Sequence, residues 1–130
     1  MSGVVSEDSY GVAHAIINTS GFLEKFISGD RSIEDFYGQQ SCLNCNGNEI
    51  RGRENIGTFI ESNAQQGMSL AVKGWEVQTV PGSDLWSMVV AFGSIQNGNG
   101  TTNNFHSTLY VESRRIDKTA FVRYHTFNTF

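Results

Sequence analysis

Leu85–Ile95 reads LWSMVVAFGSI, an apolar run of strand length that is greasy on both of its faces. Leu85, Val89, Ala91 and Ile95 share one face; Trp86, Met88, Val90 and Phe92 share the other. An antiparallel strand with one wet side alternates apolar with polar, because successive side chains point to opposite faces. This run does not alternate, so both faces need cover. The chain has enough helix for one face, which leaves the other as a candidate docking surface.

The rest of the sequence sorts around that strand. Ser9–Ile27 carries Val12, Ala13, Ile16, Ile17, Leu23, Phe26 and Ile27 at helical spacing, with Gly21 as a weak point and Gly29-Asp30 as its end. Ser32, followed by Glu34 and Asp35, is expected to start a short second helix through Tyr37. Ser41–Asn46 and Glu49–Arg51 flank Gly47 as a small hairpin. Arg53–Gln66 is a third helix stopping at Gly67. The period then switches to two. Strands are expected over Ser69–Val80, Leu85–Ile95, Phe105–Ser113 and Ala120–Asn128, with Pro81-Gly82 and the polar loop Gln96–Asn104 between them. The order predicts one α+β domain over 1–130, three helices in the N-terminal half packed on one side of a strongly bent antiparallel sheet.

Composition narrows the function classes. The 130 residues are 38% hydrophobic and 12% aromatic, as in an ordinary folded domain. A net charge of −4 excludes a large nucleic-acid-binding surface, and Arg114, Arg115 and Lys118, the densest basic patch, fall in an expected hairpin turn. No stretch approaches the roughly 20 apolar residues of a membrane span. MSGVVSEDSYG lacks a basic start and an apolar core, so no secretory signal is expected, and the sequons at Asn18 and Asn99 carry little weight. Cys42 and Cys45 are spaced C-x-x-C, but no second ligand pair accompanies them, and His14, His106 and His125 lack finger-like spacing. On a strand, positions three apart face opposite sides, so two separately packed thiols are expected.

The two-sided pattern recurs next door. Phe105, Ser107, Leu109 and Val111 share one face of their strand, and His106, Thr108 and Tyr110 the other. That second set, with Trp86, Met88 and Val90, makes a patch of aromatic, Met and polar side chains suited to an interface. Trp86 and Met88 are the expected anchors, His106, Thr108 and Tyr110 adaptable neighbours, and Gln78 a rim contact. A monomer of this mass exposes on the order of 6,800 Å². A standard interface takes about 800 Å² per partner, a plausible fraction of one sheet face.

Three segments in this order, SCLNCNGNEIRG (Ser41–Gly52), PGSDLWSMVV (Pro81–Val90) and FHSTLYV (Phe105–Val111), resemble nuclear transport factor 2. The resemblance spans nearly the whole chain. It implies a cone-like fold in which a bent sheet wraps around helices, leaving a cavity, and pairing of two domains through the sheet face. Transport factor 2 itself binds Ran-GDP through an acidic residue before the hairpin glycine and an acidic pair after the strand equivalent to Leu85–Ile95. Here those places hold Asn46 and Gln96–Gly100 (QNGNG), without one carboxylate, so the Ran-GDP role is not expected. Asn46-Gly47-Asn48 is similar instead to the Trp-Asn-Gly-Asn hairpin of the related export branch, with Cys45 in place of Trp. That branch supplies the small subunit of the messenger-RNA export receptor. The resemblance therefore implies a non-catalytic heterodimer with the similar domain of the large subunit, shuttling between nucleus and cytoplasm through nuclear pores, with no cofactor. Phe-Gly repeat contacts belong chiefly to the large subunit. One departure is His125-Thr126-Phe127-Asn128, where members often carry Asp-x-Phe-Arg. The partner ion pair made by that Arg is absent unless Arg123 replaces it.

Enzymes on this fold work inside the cavity with an acid or base of raised pKa and a donor for oxyanion charge. Candidates are Asp35, Tyr37, His14 and Tyr10, but no paired carboxylates, Ser/His/Asp arrangement or metal cluster converges in the sequence. A homodimeric carrier or a stand-alone small-ligand binder, with the cavity as pocket, is the remaining alternative.

Overall fold

A computed structural model of the chain describes residues 21–64, 67–79, 86–114 and 119–130. Helix α1 (Phe22–Ser28) is bracketed by Gly21 and Gly29, both left-handed, and buries Phe22, Leu23, Phe26 and Ile27. The described part of the expected first helix therefore begins just after its weak glycine, and the part before Gly21 lies outside the described residues. The second helix is a 3-10 segment, Arg31–Phe36, rather than an α-helix. Asp30, not Ser32, opens it: the Ser32 N–H donates to the Asp30 carboxylate at 2.9 Å. That hydrogen bond satisfies an orphan donor of the first turn. A tight 3-10 turn is the usual form for so short a connector. Helix α2 runs over Arg53–Ser62, ending a turn earlier than the periodicity implied, at Asn63.

Six strands, β1 (Tyr37–Cys45), β2 (Asn48–Arg51), β3 (Ser69–Thr79), β4 (Trp86–Gln96), β5 (Thr102–Arg114) and β6 (Thr119–Thr129), form one sheet in the order β2-β1-β6-β5-β4-β3. The neighbours are antiparallel except β1 and β6, which run parallel. Helix α1 packs against β3, and α2 against β1 and β2, so the helices lie on one side. The core between them is a single cluster that includes Phe22, Ile33, Leu43, Ile56, Val89 and Leu109, all buried.

Bulges curve the sheet and reset its parity. Lys73 is the extra residue between the Val72–Gly93 and Gly74–Phe92 pairs. It lets Leu70 and Val72 on one side of the bulge, and Trp75 and Val77 on the other, all pack against the core. Arg123 does the same in β6, between Val122 and Tyr124. An unpaired extra residue bends its strand and increases local twist. At Gly93 a Cβ would lie 1.9 Å from the Ala71 carbonyl oxygen, so the first bulge requires a residue without a side chain.

The polar segment Gln96–Asn104 is loop only at its centre, and both of its ends are strand. Ser94–Asn104, Ile95–Asn103 and Gln96–Thr102 are paired, and only 97–101 turn. Asn97 Nδ2 donates to Thr101 Oγ1 at 2.9 Å and to Asn103 Oδ1 at 2.8 Å, closing the turn with side chains poor in β-propensity. The expected turn at 115–118 lies outside the described residues.

Candidate partner-binding face

Odd-numbered residues of β4, from Ser87 to Ile95, are buried against the helices, and even-numbered ones point away. The register of four strands arranges the outward residues in rows. Gln78, Met88, Tyr110 and Tyr124 are cross-strand neighbours in one row. Glu76, Val90, Thr108 and Thr126 form the next, and Gly74, Phe92, His106 and Asn128 a third. Every side chain the sequence pointed to is on this one surface: Met88, Val90, His106, Thr108, Tyr110 and Gln78 in the rows, and Trp86 beside them opposite Glu112. Leu85 lies outside the described residues.

Two residues escaped the sequence reading of the site. Tyr124 is 52% exposed and meets Tyr110 edge-on, with ring centroids 6.3 Å apart. Phe92, placed on this face by its parity but not named as a contact, is 45% exposed, and Tyr110 38%. The Phe92 ring lies over Gly74, where a Cβ would stand 2.6 Å from Cζ. Tyr124 was hidden by the Arg123 bulge, since simple alternation from Val122 would turn it inward. Glu76 is the one carboxylate or cationic Lys/Arg side chain in the three rows. A surface rich in aromatics and Met and poor in charge has the composition of an interface centre.

An ion pair borders the rows. Arg123 Nη1 donates to Glu112 Oε1 at 3.0 Å, with both side chains 23% exposed. Arg123 thus finds its carboxylate within its own chain, while its Nε is buried without a hydrogen-bond partner. Buried donors left this way are rare in folded proteins.

The opposite, concave side holds a cavity of about 290 Å³. Phe26, Ile60, Met68, Ile95 and Phe127 are among its apolar walls, and Asn46, Asn48, Asn63, Asn97, Asn103 and Thr129 stand at its polar edge. Among the described residues, no Asp, Glu, Lys, Arg or His lines it. Cys45 faces this cavity, while Cys42 lies beside Glu49 at 3.5 Å; both thiols are free and diverge as strand geometry requires. Burial pushes the Cys45 thiol pKa up.

The enzyme candidates do not gather there. Asp35 is exposed on the 3-10 segment, and His14 and Tyr10 lie outside the described residues. Tyr37 is not at a cavity mouth but fully buried at the start of β1, directly after the 3-10 turn ends at Phe36. Its hydroxyl is 2.8 Å from His125 Nδ1, and Ser107 Oγ is 3.0 Å from His125 Nε2. Burial holds His125 at a pKa of about 3, well below the usual 6.5, and raises Tyr37 well above its own ordinary value. Phe26 packs edge-on against the imidazole at 4.9 Å and, with Phe127, walls it off from the cavity. The three side chains thus form a buried Ser–His–Tyr cluster in which both ring nitrogens of His125 are hydrogen-bonded. Among the described residues no group of His, Cys, Asp and Glu is placed to hold a metal ion. No helix among them is long and apolar enough to cross a membrane.

A family model described as the nuclear transport factor 2 (NTF2) domain matches residues 21–127. No curated protein matches the chain. Among solved structures, the chain is similar to nuclear transport factor 2 from Cryptosporidium parvum, at 18% identity and a TM-score of 0.72, covering 82% of this chain and 83% of that one. It is also similar to a chain of the yeast deubiquitinase Ubp3 and Bre5 cofactor complex, at 14% identity and a TM-score of 0.76, covering 93% and 96%. A ketosteroid isomerase-like protein from Erwinia carotovora atroseptica matches at 14% identity and a TM-score of 0.61, covering 84% and 88%.

Proposed function

The chain belongs to the nuclear transport factor 2 domain family, and from that premise we propose that it is a non-catalytic pairing subunit that docks a second domain of the same fold on its outer sheet face. The observation that carries this reading is the three-row surface centred on Met88, Val90 and Phe92, apolar where a solvated sheet face would be polar. Tyr110 and Tyr124 present aromatic area with polar tips, the type of side chain that dominates interface energies. A structural neighbour was solved as a complex of two different proteins, Ubp3 and Bre5, which supports pairing with an unlike partner.

The finer proposal is that the partner is the large subunit of the messenger-RNA export receptor and that the pair shuttles through nuclear pores. It rests on Asn46-Gly47-Asn48 and on the uncharged turns 46–48 and 97–101, which leave nothing of the acidic Ran-GDP surface. The test is capture of the tagged chain from cell extract beside a Met88→Glu variant. One larger partner at one-to-one stoichiometry, carrying a domain of this fold and lost from the variant, is expected. Recovery of the chain paired only with itself would contradict the heterodimer. Met88→Glu should weaken pairing by at least about 2 kcal/mol, since it sets an unpaired charge in a dry patch.

A further inference from the structure

We propose that the concave cavity is a binding site for a small neutral aromatic amide or lactam, held by its ring in the apolar walls and by its amide edge at the asparagine rim. This goes beyond pairing, and uses the opposite side of the sheet. The volume of about 290 Å³ exceeds the ~150 Å³ that admits a benzene ring, leaving room for a polar substituent. The walls from Phe26, Ile60, Met68, Ile95 and Phe127 offer a ring nothing but apolar contact.

The rim sets the charge and the hydrogen-bonding pattern. Each of several asparagines spends one pole of its amide on the fold and keeps the other. Asn46 Oδ1 accepts from the Thr129 N–H at 2.9 Å, which leaves its Nδ2 donors. Asn63 Nδ2 donates to the Phe59 carbonyl at 2.7 Å, and Asn97 Nδ2 is taken by Thr101 and Asn103, which leaves two Oδ1 acceptors. Asn103 Oδ1 is the acceptor in that last bond, so its own Nδ2 is open. Asn48 has both poles open among the described residues. Donors and acceptors fixed side by side match the C=O and N–H of an amide. With no charged side chain among the described lining residues, an ion entering would lose hydration without meeting an opposite charge, a loss that a neutral amide does not suffer.

Three nearly isosteric probes separate these terms: benzamide, benzoate and benzamidinium, neutral, anionic and cationic. Titration of the full chain is followed by methyl NMR at Met68, Ile60 and Ile95. Benzamide should shift those methyls saturably and bind at least about tenfold tighter than either ion or benzene, the worth of one or two net hydrogen bonds. Met68→Trp should block binding, and Asn48→Leu should weaken benzamide several-fold while leaving benzene unchanged. No saturable shift by about 10 mM benzamide, or equal binding of the three probes and benzene, would overturn the proposal. Met88→Glu serves as the control: it should spare benzamide binding, so failure of the cavity site and failure of the pairing face read out separately.

Discussion

His125 is the residue whose surroundings make the sharpest solution prediction. Its imidazole is buried and neutral, packed edge-on by Phe26 and held between Tyr37 and Ser107. With a folded pKa of about 3 against an ordinary 6.5, the unfolded chain takes up a proton that the folded chain refuses. This contribution is therefore fully present above pH 6.5 and is lost as the pH falls toward 3. Urea denaturation should show stability declining by up to about 1.4 kcal/mol per pH unit across that window, and His125→Phe should flatten the slope. Tyr37→Phe keeps the ring but removes the hydroxyl from Nδ1, and is expected to destabilise by about 1–3 kcal/mol at neutral pH. Nothing in the local sequence marks these three as a set. They are distant along the chain, and His125 turns inward only because Arg123 is an extra residue in its strand. Periodicity reads residue types against a fixed alternation, so a bulge that resets the alternation hides both the inward His125 and the outward Tyr124.

The elements themselves were more legible than their ends. β4 stood out because apolar side chains on both faces of a run that short fit few structures other than a strand covered on both sides. The β1–β2 hairpin was legible from Gly47, whose φ of 90° follows Asn46 at 49°, two positive values that few other residue pairs tolerate. The 3-10 segment and the strand ends at Gln96 and Thr102 were not legible, because capping by Asp30 and the asparagine ladder at the β4–β5 turn depend on side-chain geometry rather than on period. One prediction belongs at this scale. Gly93→Ala would drive its Cβ into the Ala71 carbonyl, so the β3–β4 bulge must shift; thermal unfolding should move down by several degrees or more, with strand content falling first at the β3 edge. Gly74→Ala, by contrast, meets only the Phe92 ring, a side chain able to swing away, and should cost little stability while disturbing the outer face.

At the scale of the whole molecule, the bent sheet separates two surfaces of different chemistry. Its concave side closes on the helices and, among the described residues, holds an apolar, amide-edged cavity; its convex side carries aromatic, Met and hydroxyl groups in register across β3, β4, β5 and β6. The placement of Trp86, Met88, Val90, His106, Thr108, Tyr110 and Gln78 on that convex side follows from strand parity, which is why it could be read from sequence. What lies against them is a property of a second molecule, which one chain's sequence encodes only as composition. Hydroxyl-radical footprinting of the chain alone and of the complex recovered from cells reads that contact side chain by side chain. Strong protection of Met88, Phe92, Tyr110 and Tyr124 in the complex, with Met68 and Phe130 unchanged, is the expected result. Equal labelling of Met88, Phe92, Tyr110 and Tyr124 in the two samples would contradict a paired sheet face.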